Sequence, residues 1–124
     1  MLERIIGAVM MLSAVLTLTM LAPGFPPAEA GRAFFEMLAA DGVAPLLFEH
    51  WRIVIGASAG LLIAGALHLK LRAPALILSG LSKLGFIALV LRYGEMGSLG
   101  PVVAVDAVMA ALFALFLIAS LRRR

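Results

Sequence analysis

Cysteine is absent from the 124 residues, which excludes disulfides, thiolate metal ligands and thiol nucleophiles. Histidine occurs only twice, at His50 and His68, so with no cysteine beside them a zinc site has too few ligands. On one helix the two imidazoles would stand about 27 Å apart and could not ligate a single haem within a monomer. Charge is scarce too: 14% of the chain is charged against 64% hydrophobic. That balance lies well outside soluble domains, and so short a chain cannot hide this much apolar surface in a core of its own. A phosphate-binding loop, a dinucleotide fingerprint and a serine-hydrolase elbow are all missing. No nucleophile–base or metal constellation is visible, so the sequence leans away from an enzyme and names no cofactor. The formal charge of +3 comes from basic residues scattered singly between apolar runs. Their one cluster, Arg122–Arg124, suits a membrane-flanking anchor better than a nucleic-acid patch, so the expected partner is the lipid bilayer.

What the chain does have is four long apolar runs. They predict an all-α membrane protein, a single four-helix bundle over residues 1–124 with spans at about 4–22, 46–70, 74–92 and 101–121. Ile5–Leu21 follows a short charged start, and Ala28-Glu29-Ala30 offers a small-residue cleavage pattern like that of a secretory signal. At about 17 residues the run is longer than a usual signal core, and it is expected to remain as the first span. Ser13 and Thr17 share a face of it, where their hydroxyls are expected to bond back to their own helix or to a neighbour. Ala22–Pro27 ends that helix. Residues 31–42 then set Phe34, Phe35 and Leu38 against Arg32, Glu36 and Asp41, the pattern of a short amphipathic helix at the membrane surface. Its aromatic face is expected to anchor in the interface, with a lid or docking face as the alternative.

The second span opens through Glu49, His50, Trp51 and Arg52. Trp51 falls where an interfacial belt residue belongs, and Glu49, His50 and Arg52 form a secondary surface cluster, read most simply as local ion pairing. Gly56 and Gly60 make a Gly-x-x-x-Gly step that predicts close packing of a neighbouring helix, with dimerisation as the alternative. Arg4, Lys70, Arg72 and Arg122–Arg124 fall on one side of the four spans, and only Arg32, Arg52 and Arg92 on the other. The positive-inside rule therefore puts both termini in the cytoplasm and the 22–46 connection outside.

The third run carries Lys83 near its centre, where a charge costs roughly 2.5–3.5 kcal/mol or more. Asp106 is the only acidic residue inside another apolar run and is the expected partner. Counting the fourth helix from Pro101 places the two about 10 Å apart in depth, a gap that a lysine stem covers only in part. Ser79 lies one turn before Lys83 on the same face and Ser82 flanks it, so Lys83, Asp106, Ser79 and Ser82 are expected to line a polar interior site, with Ser58 or Thr17 beside them. Three uses stay open for such a lysine: a structural clasp, a group that binds an anionic or quinone-like ligand, or a proton carrier.

The His50-Trp51 entry, the Ser82-Lys83 step and Asp106 near the head of the last helix resemble small bacterial four-span inner-membrane proteins of uncharacterised function. The resemblance covers mainly residues 49–120 and implies an α-helical protein of the bacterial inner membrane without an assigned activity. Small multidrug transporters have a similar size, but their intramembrane glutamate has no counterpart in Ile5–Leu21; the Asn-, Thr- and Phe-rich pore motifs of small halide channels are also missing. The leading expectation is a membrane protein whose interior site binds a small ligand or moves a proton or solute. The alternative is an accessory subunit of a larger complex or a homo-oligomer, with the charge pair serving only to hold helices together.

Overall fold

The computed structural model describes residues 1–38, 44–94 and 96–122. Five helices follow one another: α1 (Leu2–Thr19), α2 (Pro26–Leu38), α3 (Ala44–Leu67), α4 (Leu69–Tyr93) and α5 (Met96–Leu121), and no strand occurs among the described residues. The long helices α1, α3, α4 and α5 are each long and apolar enough to cross a membrane. They match the four apolar runs, and α2 matches the amphipathic segment.

The boundaries moved where proline was taken as a start or stop. α2 begins at Pro26 and not near residue 31, because two prolines fit a first helical turn, whose N–H groups have no partner in any case. The preceding turn is fixed by Gly24 in the left-handed region (φ 78°), whose N–H donates to the Glu29 carboxylate at 3.1 Å. Pro74 and Pro101 lie inside α4 and α5, each with a turn of helix ahead of it. A proline so close to an end removes one backbone hydrogen bond without stopping the helix. α4 ends at Gly94, left-handed at φ 75°, whose N–H bonds the Val90 carbonyl. Between α3 and α4 only His68 is non-helical, in an extended conformation that turns the chain back on itself. Asp41 and Gly42, expected at the end of the amphipathic helix, lie outside the described residues.

α1 packs on α3, α3 on α4 and α4 on α5, while α5 and α1 meet only sparingly; α2 lies across one end against α3 and α5. At the other end a core of Ile6, Met10, Leu62, Leu76, Phe113 and Phe116 fills the bundle. A smaller cluster of Phe34, Val90, Leu99 and Val103 sits under α2. Outside the long helices, Ile53, Leu78, Leu81, Val108 and Leu115 are each more than half exposed.

The close helix approach expected at Gly60 falls elsewhere. Gly60 is exposed, and a Cβ added there would meet nothing within 4 Å; one at Gly56 would only touch Leu21 at 3.4 Å. At Gly65 it would lie 2.6 Å from the Met10 methyl, 2.8 Å from Ala75 Cβ and 3.3 Å from the Arg72 Cα. The tight point is thus where α3 turns back into α4, and the four-residue spacing of Gly56 and Gly60 belongs to an outward face. Gly65→Ala is expected to cost about 1–3 kcal/mol by overpacking, whereas Gly60→Ala should be neutral or slightly stabilising through helix propensity. Thermal unfolding of both variants in detergent checks this; equal shifts would mean that Gly65 is not a packing contact.

Candidate functional site

Lys83 and Asp106 meet. Lys83 Nζ donates to Asp106 Oδ1 at 2.5 Å, and the two side chains are only 11% and 16% exposed. The depth mismatch disappears because α5 starts at Met96 and not at Pro101. Lys83 lies ten residues before the end of α4 and Asp106 ten after the start of α5. In an α4–α5 hairpin both therefore stand about 15 Å from the turn, at one level.

The pair lies in the wall of a cavity of about 440 Å³ to which all five helices contribute. Ser79, Ser82, Ser58 and Thr17 line it as well. Ser79 is buried and shares a hydrogen bond with Ser58 across α3 and α4 at 3.1 Å, so the hydroxyls pair with each other and not with the lysine. Ser82 is exposed at the cavity edge. Ser13, one turn from Thr17, is fully buried without a partner and does not line the cavity, contrary to the bonded state expected for it.

Phe34, Phe35, Trp51 and Phe86 bring aromatic rings to the cavity wall. Phe34 is buried, edge-on to Phe86 and Tyr93, and Phe35 packs against Phe48 and Trp51. Trp51 in turn stacks on Phe86 with ring centres 6.2 Å apart. Gly31 lets α2 come down onto this ring, since a Cβ there would stand 2.9 Å from Trp51. Trp51 is therefore a wall residue and not an isolated belt residue, and the aromatic face of α2 turns inward over the cavity. Its polar face carries the exposed Arg32–Glu36 ion pair at 3.2 Å.

The secondary cluster resolves into a clamp. Arg52 Nη1 donates to Glu49 at 3.0 Å, and Nη2 donates to the Leu21 carbonyl at 2.8 Å, just past the end of α1. His50 is exposed. Glu49 and Arg52, with Glu29, Arg32 and Glu36, border a second hollow of about 370 Å³, which His50 does not line. Glu29, Arg32, Glu36, Glu49 and Arg52 each already hold a partner, so the hollow reads as a structural joint.

One residue with a large structural role escaped the sequence reading. Arg72, counted above only among the basic residues on one side of the spans, is buried at the opposite end of the bundle. Its Nε donates to the Gly65 carbonyl at 3.2 Å and Nη2 to the Ala66 carbonyl at 3.1 Å. Nη1 donates to the Glu3 carbonyl at 3.3 Å and to the Glu3 carboxylate. The signal was its spacing: Arg72, Leu76, Ser79 and Lys83 recur at helical intervals along one face of α4. Among the described residues no group of three His, Asp or Glu side chains could hold a metal ion. No protein-family model, curated protein or solved structure matches this chain.

Proposed function

We propose that the chain is a multi-pass protein of the bacterial inner membrane, both termini cytoplasmic and α2 outside, whose cavity binds a small ligand beside Lys83 and Asp106. The membrane reading is supported by four helices of spanning length and by the large apolar side chains left exposed around them. The orientation is supported by the excess of Lys and Arg at the Arg72 end. Because the chain lacks cysteine, single cysteines at the exposed positions Met37, Gly97 and Leu69 test it directly. An impermeant thiol reagent on intact cells is expected to label the first two and spare the third; the reverse pattern overturns the orientation.

The observation that carries the ligand reading is the cavity itself: a volume of about 440 Å³, mostly apolar walls, and a few convergent polar groups. That is the build of small-molecule sites. Binding is favoured over passage of a proton or solute because the bundle beyond the cavity is filled by Met10, Leu62, Leu76 and Phe113, all essentially without exposure. Gly85 lines the cavity, and a Cβ added there meets nothing within 4 Å, so Gly85→Phe should occupy space without disturbing the helix contacts. Native mass spectrometry of the purified protein is expected to show a retained small molecule that this variant loses at unchanged thermal stability. Retention by the variant would place the molecule elsewhere, and the site reading would fail.

A second reading, the pair as a clasp in an accessory subunit, is favoured by one observation. The two charges are bonded to each other across the α4–α5 seam. Stoichiometric co-purification with a larger membrane complex, with no small molecule retained, would support it.

A further inference from the structure

Resting on the ligand reading, we propose that the cavity takes an uncharged amphiphile dissolved in the bilayer, with an apolar body and a head group that both donates and accepts hydrogen bonds. The charge state of the site decides this. Lys83 alone would call for an anion, and Asp106 alone for a cation. Bonded to each other, they present no net charge to a guest. An ionic head group would give up its hydration in an apolar chamber with no counter-charge left to meet it. A neutral head gives up only hydrogen bonds, and the pair can replace them. The ammonium has three donors and spends one on Asp106 Oδ1, and the carboxylate keeps Oδ2 as an acceptor. The Ser58–Ser79 couple uses one hydroxyl proton between its two oxygens, leaving the other hydroxyl proton to donate.

The body of the guest is set by Phe35, Trp51, Phe86 and Leu89, which offer ring faces and methyl groups but no further charge. The route in is set by the sparing contact between α1 and α5. Leu16, on α1, and Pro101 and Val105, on α5, line the cavity and are also exposed on the outside of the bundle. An opening between these three would be apolar and face sideways, toward lipid in the orientation proposed above. A guest that enters there must already be dissolved in the bilayer, which again favours a neutral head.

Trp51 is the only tryptophan and lines the cavity, so its fluorescence reports occupancy. Decan-1-ol, decanoate and decyltrimethylammonium share one tail and differ in head charge. Each is titrated into the protein in lipid nanodiscs, with affinity expressed against its membrane-bound concentration. Decan-1-ol is expected to bind at least about tenfold more tightly than either ion, a ratio within reach of one charge-assisted hydrogen bond. Lys83→Met should move the preference to decyltrimethylammonium and Asp106→Asn to decanoate, each by about tenfold. Wild-type binding of either ion as tight as that of decan-1-ol overturns the neutral-head inference and leaves the ligand site standing. If no probe gives a saturable Trp51 signal in the wild type, the ligand site falls as well. The wild-type ranking decides the matter even where a variant does not fold.

Discussion

Arg72→Met is expected to destabilise the bundle by about 3 kcal/mol or more, while Glu3→Gln should cost about 1 kcal/mol or less. The contrast follows from where the guanidinium's bonds go. Arg72 is buried and serves three backbone carbonyls, Gly65 and Ala66 in the last turn of α3 and Glu3 in the first turn of α1. The carbonyls in the last turn of α3 have no partner within the helix, and leaving them unpaired out of water costs about 1–3 kcal/mol each. The Glu3 carbonyl, in the first turn of α1, lies at the end whose carbonyls bond within the helix and loses only a second donor. The ion pair with Glu3 is a lesser matter, since the Glu3 side chain is 60% exposed and such pairs contribute about 0–1 kcal/mol. Arg72→Lys should recover only part of the loss, because a single ammonium cannot reproduce the planar fork that reaches α1 and α3 together. Unfolding titrations in mixed detergent micelles measure all three. If Glu3→Gln proved as costly as Arg72→Met, the salt bridge and not the carbonyl cap would hold the ends together.

Arg52 repeats the device at the other end of the bundle. It reaches back from α3 to the Leu21 carbonyl beyond the end of α1, as Arg72 reaches back from α4 to the end of α3. In each case an arginine on a later helix bonds a carbonyl at or just past the end of an earlier one. Such a joint suits helices whose apolar surfaces gain little by association in lipid, because hydrogen bonds and close backbone contact then decide how helices pair.

The four long helices and the amphipathic segment were legible because hydrophobic run length needs only composition. Lys83 and Asp106 were legible as partners because each is the sole charge deep in its apolar run. Their register was not, since it depends on where α5 begins, and Pro101 looked like a start although the helix opens at Met96. Gly56 and Gly60 were misjudged for a related reason. A spacing of four says that two residues share a face, but not which face meets a neighbour, and the close contact came at Gly65. Arg72 was missed because an arginine near a turn between apolar runs satisfies the positive-inside rule whether it faces solvent or backbone. The inward set of Phe34, Phe35 and Trp51 was equally hidden, because an aromatic face suits a membrane interface as well as a protein interior.

The largest coupling is expected between Lys83 and Asp106. Lys83→Met leaves a buried carboxylate without its counter-charge, and Asp106→Asn does the same to the ammonium. Breaking a buried pair from one side costs about 3–5 kcal/mol, while replacing both partners can be nearly neutral. With side chains 11% and 16% exposed, this pair falls near the buried limit. Each single variant should therefore lose about 3 kcal/mol, and Lys83→Met combined with Asp106→Asn should lose clearly less than the sum. A coupling of about 1 kcal/mol or more supports direct contact, since independent sites add to within roughly 0.3–0.5 kcal/mol. Additive losses would mean that the two groups do not meet and that α5 takes another register against α4. The double variant also separates the two functional readings. If the pair is only a clasp, restored stability should bring restored function with it. If it is the polar end of a ligand site, the double variant should fold well and still retain less of the small molecule than the wild type, because methionine removes all three of the ammonium's donors and asparagine keeps only one of the carboxylate's two acceptor oxygens.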